Sequence, residues 1–150
     1  MSSFKRRSLL LSLLALGGCG FTPVFGTGPE GQGSNLRGRI DVAAPVDEEG
    51  FELAKRLEDR LGLPQAADLS LTADIRISEE AVGFLPDGEI SRFNVVGRVD
   101  WRLSRIGDGV GIATGSERSF TSYSATSTTV ATTFAQRDAR RRLMVILADR

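Results

Sequence analysis

Cys19 is the one cysteine of the chain, and it follows Leu16-Gly17-Gly18 at the end of an apolar run. A lone thiol cannot close an intrachain disulfide, and the chain has no histidine. Ser-His-Asp and Cys-His pairs, a His/Cys zinc site and an imidazole switch are therefore excluded. Two acid groupings, Glu79-Glu80 and Asp87 with Glu89, could serve general acid-base chemistry. They stand beside Gly83, Pro86 and Gly88, however, and read as solvated turn residues. The Ser/Thr-rich run over residues 116–133 has no histidine base, and no glycine pattern has phosphate-loop spacing. The chemistry left is binding, and four arginines stand out: Arg76, Arg92, Arg98 and Arg102. Their planar forks suit phosphate, provided the fold gathers them on one face. Asp74 and Asp100 alternate in phase with them, so a salt-paired or solvated face is the competing reading. The run Arg140-Arg141-Arg142 reads as an exposed helix side.

The segments around these residues define the organisation. Lys5, Arg6 and Arg7 precede the apolar residues 8–16, followed by small residues and Cys19, the layout of a signal peptide over residues 1–18. The apolar run is well short of the roughly 20 residues that cross a bilayer as a helix. Removing residues 1–18 leaves 16 basic against 19 acidic residues, a net charge of −3. Residues 19–35, rich in Gly and Pro, read as a lipidated N-terminus and flexible tether, and residues 36–150 as one domain. In the whole chain of 150 residues, 19 basic side chains balance 19 acidic ones, which gives no field to define a nucleic-acid binder.

Within the domain, Leu36, Gly38, Ile40 and Val42 alternate with polar residues and predict a first strand. Asp47 caps a helix whose apolar face is Phe51, Ala54, Leu57 and Leu61, with Glu52–Arg56 and Lys55–Asp59 pairs on the wet side. Gly62 and Pro64 end it. Leu69, Leu71, Ala73, Ile75 and Ile77 form one side of a strand, Phe93, Val95, Gly97, Val99, Trp101 and Leu103 one side of the next, and the two form a long antiparallel hairpin. Residues 110–123 give a more polar strand suited to an edge. Ser127 or Thr128 caps a closing helix with Ala131, Ala135, Ala139, Leu143, Ile146 and Leu147 on one face. The order β-α-β-β-β-α predicts an α+β fold: a four-stranded mixed or antiparallel sheet with two helices packed on one face.

Leu16-Gly17-Gly18-Cys19 resembles the lipobox of bacterial lipoproteins, in which the cysteine is acylated and the signal removed. CGFTPVFG from Cys19, RFNVVG from Arg92, FTSYSA from Phe120 and the helix with Ala135-Gln136-Arg137-Asp138-Ala139 then Leu143 together resemble the lipopolysaccharide-assembly lipoprotein (LptE) family of Gram-negative bacteria, especially its alphaproteobacterial branch. The resemblance implies a non-enzymatic protein without cofactors beyond a covalent lipid on Cys19. It implies a complex with the outer-membrane β-barrel LptD, which the protein plugs in part, and lipopolysaccharide as the cargo. It implies attachment to the periplasmic side of the outer membrane, and Gly20, where aspartate would favour inner-membrane retention, agrees. No nucleic acid is expected as a partner. On this reading, two acyl chains or more hold such a protein firmly where one does not. The competing expectations are a stand-alone periplasmic lipid- or glycolipid-binding lipoprotein, favoured by an apolar cavity between sheet and helices, and an envelope lipoprotein acting on cell-wall polymers. Relatives commonly continue past the position of Arg150, so the last helix is expected to be shorter here or the sequence incomplete.

Overall fold

The computed structural model describes residues 36–125 and 128–150. Cys19, the expected signal segment 1–18, the tether 19–35 and the alternative cap Ser127 lie outside the described residues. The elements follow the order β1 (Ile40–Ala43), α1 (Glu48–Leu61), β2 (Leu69–Phe84), β3 (Ile90–Arg105), β4 (Gly111–Ser124) and α2 (Thr129–Ala148). The four strands form one sheet in sequential order; β1 runs parallel to β2, and the other neighbours are antiparallel. The mixed α+β architecture expected from the alternation is the one found.

Register sorts the sheet into two faces. Val99 lies opposite Ile75 and Glu117, Val95 opposite Glu79 and Thr121, and Phe93 opposite Ala81 and Tyr123. This side carries the core, in which Val95, Val99 and Tyr123 pack with Leu53 of α1 and Ala139, Leu143, Met144 and Leu147 of α2. The Phe93 and Tyr123 rings stack at 5.3 Å between centroids. Gly97 lies directly under α2: a Cβ there would come within 2.8 Å of Leu143 Cδ2 and 3.0 Å of Leu147 Cδ1. The missing side chain lets helix and sheet approach closely.

Several local expectations need correction. Residues 36–39 form a turn, with the Arg39 N–H donating to the Leu36 carbonyl, so β1 is only four residues long. Asp47 does cap α1, its Oδ1 accepting from Gly50 N at 2.6 Å, and Gly62 closes the helix by donating to the Glu58 carbonyl. The buried face of α1, however, centres on Gly50 and Leu53, with Leu57 packed against the core, while Phe51 is 65% exposed. The two faces share Leu57 and are only slightly rotated from one another, which is enough to turn Phe51, the largest apolar residue of the pattern, outward. Glu52 and Arg56 do not pair with each other. Glu52 meets Arg141 at 3.2 Å, and Arg56 meets Asp149 at 2.8 Å, so these charges join the two helices. In α2, capped by Thr128, Met144 is buried where Ile146 was expected, and Ala131 is exposed.

Candidate functional site

The residues that point away from the helices form an open face. Its rows, read across β2, β3 and β4, are Thr72–Arg102–Thr114, Asp74–Asp100–Ser116, Arg76–Arg98–Arg118 and Ser78–Val96–Phe120. Three arginines thus stand in one row on three strands. Like charges directly opposite each other repel, and the acidic row beside them offsets this. Arg76 reaches Asp74 at 2.9 Å and Asp100 at 3.6 Å, and Arg98 grips Asp100 with a bidentate contact whose shortest distance is 2.8 Å. Hydrogen bonding from Arg98 and then from Ser116 holds the Asp100 carboxyl below its usual range, and Asp100 in turn raises Arg98.

The four arginines expected to act together are divided by this geometry. Arg76 and Arg98 are adjacent and already neutralised by aspartates. Arg102 stands four residues along β3 from Arg98, about 13 Å away at strand spacing, and has no acidic partner among the described residues. Arg92 pairs with Ser124, six residues or about 20 Å from Arg98, and lines a cavity of about 370 Å³ with Tyr123, Ala135 and Arg142 at the margin of β4 and α2. Arg118 is exposed, has no acidic partner among the described residues and was missed by sequence reasoning. Its strand shows no apolar contrast: the helix-facing phase is Gly115, Glu117, Ser119, Thr121 and Tyr123, so alternation alone could not show which phase was outside.

Two further clusters lie on the helix side. Glu79 belongs to β2, not to a turn, and points under α2. It accepts from the Tyr123 hydroxyl at 2.9 Å, from Gln136 Nε2 at 2.8 Å and from Arg140 Nη2 at 2.7 Å. Arg140 also donates to Glu49 of α1 at 3.1 Å. Burial pushes the Glu79 carboxyl up, but hydrogen bonds from Arg140, Tyr123 and Gln136 outweigh it and leave the group below its usual range. Burial, followed by the bond to Glu79, pushes the Tyr123 phenol up to about 12. Arg140 and Arg141 are therefore interhelical bridges rather than an exposed basic side, while Arg142 pairs with Asp138 at 3.1 Å. The second cluster is apolar. Leu53, Leu57, Leu71, Ala73, Trp101 and Leu147 line a cavity of about 220 Å³ between the end of α2, α1 and the sheet.

Neither cluster assembles a catalytic constellation. Glu79 is fully committed to neighbours, and among the described residues no group of three or more His, Cys, Asp or Glu side chains could hold a metal. No helix among them is long and apolar enough to cross a membrane.

A profile described as lipopolysaccharide-assembly, LptE, matches residues 38–150. The chain belongs to the LptE family. Its role is therefore in lipopolysaccharide assembly in the cell envelope. Solved structures agree in fold. A candidate lipoprotein from Caulobacter crescentus CB15 is 26% identical, with a TM-score of 0.64 over 78% of this chain and 86% of that one. The rare lipoprotein B from Shewanella oneidensis is 14% identical, with a TM-score of 0.55 over 74% and 86%. A minor lipoprotein from Acinetobacter baumannii is 17% identical, with a TM-score of 0.52 over 73% and 82%. No curated protein sequence matches the chain.

Proposed function

We propose that this LptE-family chain is a lipoprotein anchored through Cys19 to the periplasmic side of the outer membrane, where it partners a large LptD-type β-barrel as plug and assembly factor for lipopolysaccharide. Residues 1–18 are the export signal, residues 19–35 the tether and residues 36–150 the working domain. The protein binds and positions and does not catalyse, and its one covalent group is the lipid on Cys19.

The observation that carries this reading is a sheet face that no element among the described residues covers, in a domain matched to the family over residues 38–150. Arg76, Arg98 and Arg118 stand in one row across three strands, and aspartates hold only the first two of them. A surface used against an anionic or polar partner gives that arrangement a purpose. The stand-alone carrier reading is weaker. The apolar cavity of about 220 Å³ lies below the roughly 300 Å³ at which drug-sized ligand sites begin, too little for a lipid with several acyl chains.

The test is to recover the full chain from solubilised outer membranes by an affinity tag and to identify what comes with it. A stoichiometric β-barrel partner is expected. A chain that elutes alone, with lipopolysaccharide bound, would transfer the function to the stand-alone carrier.

A further inference from the structure

Strand β4 is the outermost on its side of the sheet, and among the described residues it pairs with β3 and with no other strand. Two hydrogen bonds show which of its backbone groups face out. The Ala125 N–H donates to the Ser91 carbonyl of β3, which assigns the odd-numbered residues of β4 to the internal ladder. The groups of the even-numbered residues point away from β3, and one of them is already in use: Arg142 Nη2 donates to the Ser122 carbonyl at 3.4 Å. From Ile112 to Phe120 the even-numbered residues are exposed. Such edges are usually blunted by proline, lysine or a bulge. β4 is 14 residues long without proline or lysine, and its one irregularity lies at the Leu103/Ser104 end. Two large apolar side chains flank the stretch, Ile112 at 50% and Phe120 at 64% exposure.

The sequence that fits this edge is its own. In an antiparallel pair of identical strands about a two-fold axis, the pairing is set by the residue that meets itself. Centring on Ser116 sets Phe120 opposite Ile112 of the second copy, Arg118 opposite Thr114, Glu117 opposite Gly115 and Ser119 opposite Ala113. Both exposed apolar residues gain apolar partners, and no like charges meet. The neighbouring registers fail. Centring on Glu117 or Arg118 brings two carboxylates or two guanidinium groups together. Centring on Gly115 sets Arg118 against Ile112 and Phe120 beyond the start of the strand. Centring on Ser119 or later draws in Ser122, whose carbonyl Arg142 holds.

We propose that two copies of the chain pair through β4, antiparallel and centred on Ser116, so that their sheets become one. The open-face row Arg76–Arg98–Arg118 then continues into Thr114, Arg102 and Thr72 of the second copy. Arg118 and Arg102 of the second copy, the arginines without acidic partners, come to stand two strands apart, about 10 Å. Lipid anchors on both chains would hold them on one membrane surface and raise their effective concentration.

With the Cys19 thiol acylated, an added cysteine is the only free one in the chain. The full lipidated chain in detergent is labelled with a nitroxide at Ser116→Cys or, for reference, at Asp87→Cys in the turn between β2 and β3. Dipolar broadening that is lost on dilution is expected at residue 116 and absent at residue 87, since the two-fold axis sends the two turns to opposite ends. Three changes at Thr114 test the register. Thr114→Pro removes an outward N–H and no internal one, and should raise the dimer dissociation constant about tenfold, the scale of one or two lost backbone bonds. Thr114→Glu sets a carboxylate opposite Arg118 of the second copy and should lower the constant, while Thr114→Lys should raise it. Circular dichroism checks the fold, and where the proline variant is unfolded the glutamate and lysine variants decide. No broadening at residue 116, broadening at residue 87 in its place, or glutamate and lysine moving the constant the same way each overturns the proposal. A label at residue 116 that is immobilised without broadening at every dilution gives the edge to another segment of the same chain and overturns it too. The pairing stands apart from the barrel reading. A chain that pairs yet recovers no β-barrel removes that reading alone, and a chain that recovers its barrel yet shows no broadening by itself removes the pairing alone.

Discussion

The Tyr123 hydroxyl donates to the Glu79 carboxylate at 2.9 Å, joining β4 to β2 beneath α2, although β3 lies between the two strands. Gln136 and Arg140 complete the carboxylate's shell, and Arg140 carries the network on to Glu49 at the start of α1. Glu79 thus links two strands and α2, with α1 reached through Arg140, and its position in the sequence, before a glycine and proline turn, gives no sign of this.

Tyr123 is the only tyrosine, so its titration can be followed directly by absorbance at 295 nm. Its folded-state pKa of about 12 lies above the value of about 10 for a free phenol. The neutral form is the one the fold favours, so its contribution to stability is complete below pH 10 and is lost as pH rises toward 12. Glu79→Gln removes the charge that resists ionisation. The absorbance midpoint should move down toward 10, and an unmoved midpoint would show that burial alone sets it.

At the acid end the sign reverses. Arg56 and Arg60 hold the Asp149 carboxyl down at about 2, against an ordinary value of about 3.9. Its contribution is present above pH 4 and is lost as pH falls toward 2. The melting temperature should drop across that window, and Asp149→Asn should start lower at pH 7 while losing less between pH 4 and 2. Equal losses in the two proteins would place the acid sensitivity elsewhere, with Glu79 the next group to test.

Gly97→Ala should destabilise the fold by about 1–3 kcal/mol, the usual cost of overpacking a close-packed interior. The new Cβ would meet Leu143 and Leu147 at 2.8 and 3.0 Å, and both are buried side chains of α2 with little room to withdraw. Urea unfolding measures this, and a shift below half a kcal/mol would mean that α2 slides on the sheet.

The sheet and both helices were legible because Leu69 to Ile77 and Phe93 to Leu103 alternate cleanly, and because Asp47, Gly62 and Thr128 punctuate the chain at the right places. The faces of the helices were less legible. In α1 the bulk of Phe51 suggested a face that the fold leaves exposed, since Gly50 and Leu53 must approach the core instead. The site was half legible. The open-face phase of β2 and β3 follows from alternation, but the salt pairing of Arg76 and Arg98, the distance of Arg92 and the entry of Arg118 depend on register across strands, which no single segment encodes.

Cys19→Ser should leave a precursor that keeps residues 1–18, or a chain that fails to partition into the membrane fraction. The apolar run before Cys19 is too short to span a bilayer, so no other segment of the N-terminus can replace the lipid. Mass spectrometry of the membrane-bound protein should show an acylated cysteine at its N-terminus. An unmodified thiol in that fraction would remove the anchor from the proposed function.

The open face makes the last prediction, and the structure changes which arginines should carry it. Arg98 is held by Asp100, and a phosphate would have to displace that carboxylate before using the guanidinium. Arg102 and Arg118 have no acidic partner among the described residues and can meet an anion at once. Reversing these two together, Arg102→Glu with Arg118→Glu, should weaken lipopolysaccharide binding about tenfold, or about 1.4 kcal/mol, modest because exposed charges are screened. Arg92→Glu, about 20 Å along the strands from the row of Arg98 and Arg118 and farther still from Arg102, should change it far less. The fold should tolerate the double change, since exposed substitutions move stability by about half a kcal/mol or less. Barrel co-purification on the same variants separates the meanings. If both bindings fall together, the face docks to the protein partner and lipopolysaccharide suffers indirectly. If lipopolysaccharide binding is unchanged at both low and physiological salt, Arg102 and Arg118 are solvated side chains, and the row Arg76–Arg98–Arg118 is held together for the sheet rather than for a ligand.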